Sequence, residues 1–66
     1  MARIWEPQPF EVLQQWIDDI LTEASDSLND WETKFVDDMH IRVANRWPLS
    51  RAQHDKLETI YAEKTS

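Results

Sequence analysis

Metal-binding chemistry in this chain would depend on two histidines and on carboxylates, because the sequence contains no cysteine. Asp37 and His40 are spaced to lie on adjacent turns of a helix, and His54 would supply a third ligand. Helical metal sites, however, combine several such pairs from facing helices. We therefore predict no metal site and no cofactor, and we expect His54 to pack against Leu49 at the start of a helix.

General acid–base chemistry would require carboxylates that converge on one bond. Two pairs of adjacent aspartates are present, Asp18 with Asp19 and Asp37 with Asp38. Side chains at i and i+1 point to different faces of a helix, so neither pair can share a proton. The serines fall at expected caps and loops, without a base to activate them. The sequence predicts no catalytic residue, and we expect that the protein is not an enzyme.

Basic residues are concentrated after Met39, although the net charge of the whole chain is −6. Arginine and glutamine are the residue types with which a recognition helix reads bases. A small DNA-associated helical domain is therefore the alternative hypothesis. Its contact residues would be Arg42, Arg46, Arg51, Gln53 and Lys56. An acidic chain is poorly suited to binding phosphates, so we favour a protein partner over nucleic acid.

A protein-binding surface is indicated by Trp47, which stands between Arg46 and Pro48 at the end of a predicted helix. Tryptophan and arginine dominate binding hot spots. Trp47 either closes the core or stays half exposed as an anchor, and the same alternatives apply to Trp5. Ile41 projects almost opposite the apolar stripe of its helix. The predicted partner-binding residues are Trp47, Arg46, Arg51 and His54, with Ile41 as an outlying member.

Helices are the elements expected to position these side chains, because a chain without glycine is poorly suited to tight β-hairpins. Apolar residues recur at the helical period over about 9–24 and 30–45, and more sparsely over 51–63. Capping boxes are expected at Asn29 with Glu32 and at Ser50 with Gln53. Asn45 is the expected left-handed residue at the end of the second helix.

The predicted fold is one all-α domain over residues 1–66, a small three-helix bundle with an extended N-terminal arm over 1–8. Pro7 and Pro9 hold the arm extended. The four tryptophans offer the largest apolar side chains, and we expect Trp16 and Trp31 to lie in a tryptophan-rich core.

Self-association is a third hypothesis, in which the protein is a homodimeric structural protein. The apolar face of the third helix is thin, with Leu57, Ile60 and Tyr61, and a second copy would complete it. The sequence contains no long apolar run and no signal-peptide pattern. We therefore expect a cytoplasmic protein that does not contact a membrane.

A two-helix pattern covers about half of the chain, over residues 28–61. It consists of Leu28-x-x-Trp31-Glu32-x-x-Phe35-Val36 followed by Leu49-Ser50-x-x-Gln53-x-x-x-Leu57-x-x-Ile60-Tyr61. This arrangement resembles a short pattern in small uncharacterised phage and bacterial proteins and at the ends of DNA-metabolism proteins. That pattern usually has a glycine in the turn, where this chain has Trp47 and Pro48. The resemblance implies a phage or mobile-element origin and an accessory role, and it identifies no catalytic residue.

Overall fold

Three α-helices make up most of the computed structural model, which describes residues 5–65. Helix α1 is Phe10–Glu23, α2 is Asp30–Ala44 and α3 is Arg51–Lys64. A short 3-10 turn, Ser25–Ser27, joins α1 to α2, and no strand occurs within residues 5–65. The prediction of a small all-α three-helix bundle is confirmed. The predicted arm falls partly on residues 1–4, which lie outside the described residues, and residues 5–9 precede α1 without helical structure.

Both predicted capping boxes are present. At the start of α2, the Glu32 amide donates to Asn29 Oδ1 at 2.7 Å, and the Asn29 amide donates to Glu32 Oε1 at 3.0 Å. At the start of α3, the Gln53 amide donates to Ser50 Oγ at 3.1 Å, and the Ser50 amide donates to Gln53 Oε1 at 2.9 Å. Each box satisfies two backbone donors that the first helical turn leaves unpaired.

The end of α2 differs from the sequence prediction. The left-handed residue is Arg46, with φ of 58°, whereas Asn45 has φ of −92°. The Arg46 amide donates to the Val43 carbonyl and the Trp47 amide to the Arg42 carbonyl, which is the Schellman pattern. Asn45 is used differently, because its side-chain amide donates to the Ile41 carbonyl at 2.8 Å. The prediction for Asn45 is therefore wrong by one position.

The core is aliphatic, and the prediction of a tryptophan-rich core is wrong. Its buried members are Leu13, Ile17, Ile20, Val36, Met39, Val43, Leu49, Leu57 and Ile60. Trp16 is only partly buried against this cluster, and Trp31 is 56% exposed. At about 100° per residue, Trp31 lies about 140° from Val36 around the axis of α2, at the edge of the apolar stripe. Branched aliphatic side chains fill the narrow space between three short helices, and tryptophan is rarely buried completely.

Contacts between helices establish their relative directions. Lys64, in the last turn of α3, donates to the Ser27 carbonyl at 3.2 Å and lies 3.9 Å from Glu32 in the first turn of α2. Helices α2 and α3 are therefore antiparallel. The other side of α3 packs on α1, where the Tyr61 ring stacks on Trp16 at 5.4 Å.

The apolar face of α3 is therefore already covered within one chain. Leu57 and Ile60 are buried, and Tyr61 is partly buried. The prediction that a second copy would complete this face is wrong, because α1 covers it. In the described residues, no helix is long and apolar enough to cross a membrane.

Candidate protein-binding surface

An apolar groove lies at one end of the bundle, where residues 7–9, the start of α1 and the turn between α2 and α3 meet. Its volume is about 300 Å³. The lining residues are Pro7, Gln8, Pro9, Phe10, Leu13, Pro48 and Leu49. This volume is at the lower end of the range for small-molecule sites, so it suits one or two side chains of a partner better than a whole cofactor.

Prolines shape the wall of the groove. Pro9 has φ of −58° and ψ of 154°, an extended conformation from which α1 begins at the next residue. A proline at this place costs no hydrogen bond, because the first turn of a helix has no carbonyl for its amide. Pro48 follows α2 and prevents its continuation, so the chain turns back into α3. The apolar rings of Pro7, Pro9 and Pro48 therefore line the groove without introducing backbone donors.

His54 connects the N-terminal segment to α3. Its side chain is almost completely buried, with 4% of the residue exposed. The Gln8 amide lies 3.2 Å from Nε2, where the nitrogen accepts its hydrogen bond. The rings of Trp5 and Trp16 pack edge-on against the imidazole at 5.4 and 5.6 Å. The prediction that His54 contributes to an exposed binding surface is therefore wrong, because its position is internal and structural.

Two arginines lie over aromatic rings near the groove. The Arg46 guanidinium lies 5.5 Å from the centre of the Phe10 ring, and Phe10 lines the groove. The Arg51 guanidinium lies 5.8 Å from the centre of the Trp5 ring. Both arginines are exposed, and the aromatic rings restrict where their charges lie. Arg51 is also 3.8 Å from Asp55, a surface pair of small energetic value.

Trp47 is 53% exposed, so of the two predicted positions it is the half-exposed one that the structure shows, and Trp47 does not close the core. It directly precedes Pro48 of the groove wall. Trp5 is half-buried against His54 and thus packs on its own bundle. Ile41 is 55% exposed but does not line the groove, because it lies on the outer side of α2. Of the predicted surface, Arg46, Trp47 and Arg51 are exposed. Arg46 contacts the groove through Phe10, Trp47 precedes Pro48 of its wall, and Arg51 contacts Trp5, which does not line the groove.

Most residues of the nucleic-acid alternative make contacts within the chain. The Gln53 side-chain oxygen is engaged in the α3 capping box. Lys56 lies over the Trp31 ring, with 5.2 Å between its Nζ atom and the ring centre. Arg42 is half-buried on α2, Arg46 lies over the Phe10 ring of the groove, and Arg51 lies over the Trp5 ring. The cap and the aromatic contacts therefore engage Arg46, Arg51, Gln53 and Lys56, and DNA binding by these residues stays a prediction.

The sequence interpretation missed the groove itself. Pro7 and Pro9 lie just before one helix, and Pro48 and Leu49 lie between two others. These short apolar segments at helix ends were the available signal, but only the folded chain brings them together. Among residues 5–65, no cluster of at least three histidine, cysteine, aspartate or glutamate side chains could hold a metal ion.

Comparison with protein-family models, curated proteins and solved structures finds no significant match to this chain. Its function is therefore inferred from the geometry of the surface.

Proposed function

We propose that the protein is a non-catalytic accessory domain that binds another protein through the groove and the residues Arg46, Trp47 and Arg51. The observation that carries the proposal is the turn after α2. There, Arg46 is held in the left-handed region and its guanidinium lies over Phe10 of the groove, while the exposed Trp47 directly precedes Pro48 of the groove wall. Residues held in costly backbone conformations cluster at functional sites.

The chemistry of the surface indicates the kind of segment that would bind. The groove wall is mainly proline, phenylalanine and leucine, which favours an apolar side chain. Arg46 and Arg51 favour carboxylates, which arginine can bind through two parallel hydrogen bonds. The proposed ligand is therefore a protein segment with an apolar anchor residue and acidic neighbours. The phage or mobile-element origin stays a prediction from the resemblance.

Selection from a random peptide library displayed on a surface would test this proposal. We expect the recovered peptides to share an apolar residue flanked by aspartate or glutamate. Truncation of a hot-spot residue typically costs at least 2 kcal/mol, so Trp47→Ala should weaken binding by about thirtyfold. Trp31→Ala is the matched control, because Trp31 is equally exposed but lies away from the groove.

Amide-resolved NMR titration with the selected peptide and with short duplex DNA separates the two partner classes. Peptide-induced shifts at residues 7–13 and 46–51 would support the proposal. Shifts at residues 42–56 with duplex DNA, which weaken steeply as salt is raised, would instead support the DNA-associated alternative. Equal loss of peptide binding in Trp47→Ala and Trp31→Ala would also contradict the proposed surface.

A further inference from the structure

The side of α2 that faces away from the core carries a second regular stripe. Its exposed members are separated by three and four residues in alternation: Trp31, Lys34, Asp38, Ile41 and Asn45. This spacing places them on one face of a helix, as in the contact seam of a coiled coil. The first four, which we call the outer strip, have apolar residues at the ends and opposite charges between them.

The apolar ends of the outer strip are both well exposed. Trp31 is 56% exposed and Ile41 is 55% exposed, and they are about 15 Å apart along the helix axis. The Trp31 ring stacks on Phe35 with 5.3 Å between ring centres and 9° between the planes. Lys56 of α3 covers the same indole from 5.2 Å. Trp31 is therefore held in place by its own chain while much of its surface remains in water.

The order of residues in the outer strip is self-complementary. Trp31 and Ile41 lie at equal distances in sequence on either side of Val36, and so do Lys34 and Asp38. If a second α2 helix runs antiparallel to the first, Trp31 faces Ile41 of the second copy. Lys34 then faces Asp38 of the second copy. A parallel arrangement would instead place Lys34 against Lys34, so the charges select the antiparallel one.

We propose that the outer strip binds a second copy of this chain in a two-fold symmetric, antiparallel dimer. Each contact occurs twice, as an interface between identical surfaces requires. Two apolar Trp31–Ile41 layers lie at the ends, and two Lys34–Asp38 pairs lie between them, about 6 Å apart along the axis. The outer strip shares no residue with the groove, so the dimer does not depend on the proposed peptide binding.

Charge exchange at Lys34 and Asp38 tests the pairing directly, with sedimentation equilibrium as the measurement. In Lys34→Glu, the new negative charge faces the negative charge of Asp38 in the second copy. In Asp38→Lys, the new positive charge faces the positive charge of Lys34 in the second copy. The dissociation constant of the dimer should rise at least about tenfold in each variant, since like-charge contacts at an interface cost several kcal/mol. An equimolar mixture of the two variants should form a heterodimer, and the double variant should recover self-association.

Two further variants distinguish this interface from general effects. Ile41→Ala should weaken the dimer by a similar factor, because the apolar layer at each end loses its aliphatic partner. Glu23→Lys changes the net charge as Asp38→Lys does but lies on α1, and it should leave dimerisation unchanged. Circular dichroism of each variant checks that the helices are retained.

Two results would overturn the proposal. The first is a natural chain that remains monomeric up to about 1 mM, where the association free energy would be near −4 kcal/mol. The second is a dimer whose affinity in Lys34→Glu, Asp38→Lys and Ile41→Ala equals that of the natural chain. Trp31→Ala should reduce dimerisation while leaving peptide binding at the groove intact. The dimer and the peptide-binding groove are thus tested by different measurements, and one proposal can fail without the other.

Discussion

Arg46 occupies the position after α2 at which many helices have glycine. Its φ of 58° requires a left-handed conformation that costs a residue with a Cβ atom roughly 1–2 kcal/mol. The chain contains no glycine, so a residue with a Cβ atom has to adopt the left-handed conformation at this position. In this conformation the Arg46 guanidinium lies over Phe10, and the following residue, Trp47, is exposed.

Glycine and alanine substitutions at Arg46 measure this backbone cost. Both remove the guanidinium, but only glycine relieves the left-handed strain. We expect Arg46→Gly to be more stable than Arg46→Ala by about 1 kcal/mol in urea unfolding. At Asn45, where φ is −92°, the order should reverse, with Asn45→Ala more stable than Asn45→Gly. If Arg46→Ala is as stable as Arg46→Gly or more stable, Arg46 is not held in the left-handed region in solution.

At the scale of the elements, α2 and α3 begin with reciprocal caps whereas α1 begins after a proline without a side-chain cap. The caps matter because α3 has a thin apolar face, with Leu57 and Ile60 as its fully buried aliphatic side chains. Short helices are marginal in water, so the start of each helix contributes a substantial part of its stability.

Removal of the cap side chains should therefore lower stability at both helices. Asn29→Ala and Ser50→Ala should each reduce the free energy of unfolding by about 1 kcal/mol. The double variant should show the sum of the two effects, because the caps belong to different helices and share no partner. Chemical denaturation monitored by circular dichroism provides the measurement. Ser27→Ala, in the 3-10 turn, is the control and should change stability by less than about 0.5 kcal/mol.

At the scale of the whole molecule, the N-terminal segment is part of the packed structure. Residues 5–9 contact α3 through His54, and they form one side of the groove with the turn between α2 and α3. A domain of this size buries only about 60% of the surface of its unfolded chain. Each additional contact of the N-terminal segment is therefore a large fraction of the total stability.

Replacement of His54 by phenylalanine tests the connection between this segment and the bundle. The ring remains, but the Gln8 amide loses its acceptor. The hydrogen bond is only partly buried, so His54→Phe should reduce stability by about 1 kcal/mol, the net value of a typical hydrogen bond, and speed hydrogen exchange at the Gln8 amide. His40→Phe is the matched control, since His40 is exposed on α2. Equal effects of the two substitutions would show that the Gln8–His54 hydrogen bond does not stabilise the fold.

The helices and their caps could be predicted from the sequence because they depend on local interactions. Apolar spacing defines α1 and α2, and Asn29 and Ser50 lie within hydrogen-bonding range of residues only three positions away. The predictions that were wrong concern neighbouring positions on one helix. Asn45 and Arg46 compete for the left-handed position, and Trp31 lies at the edge of its stripe, where a small rotation of the helix decides burial.

Amino-acid sequence alone determined the fold class, the number of helices and the exposed character of Arg46 and Arg51. Tertiary structure decided that the core is aliphatic, that His54 is internal, and that Pro7, Pro9 and Pro48 line one groove. The physical reason is the range of the interactions. Helix formation depends on neighbours within one turn, whereas burial of His54 depends on Gln8, which is 46 residues away in sequence. Such contacts exist only after the three helices have packed and brought distant parts of the chain together.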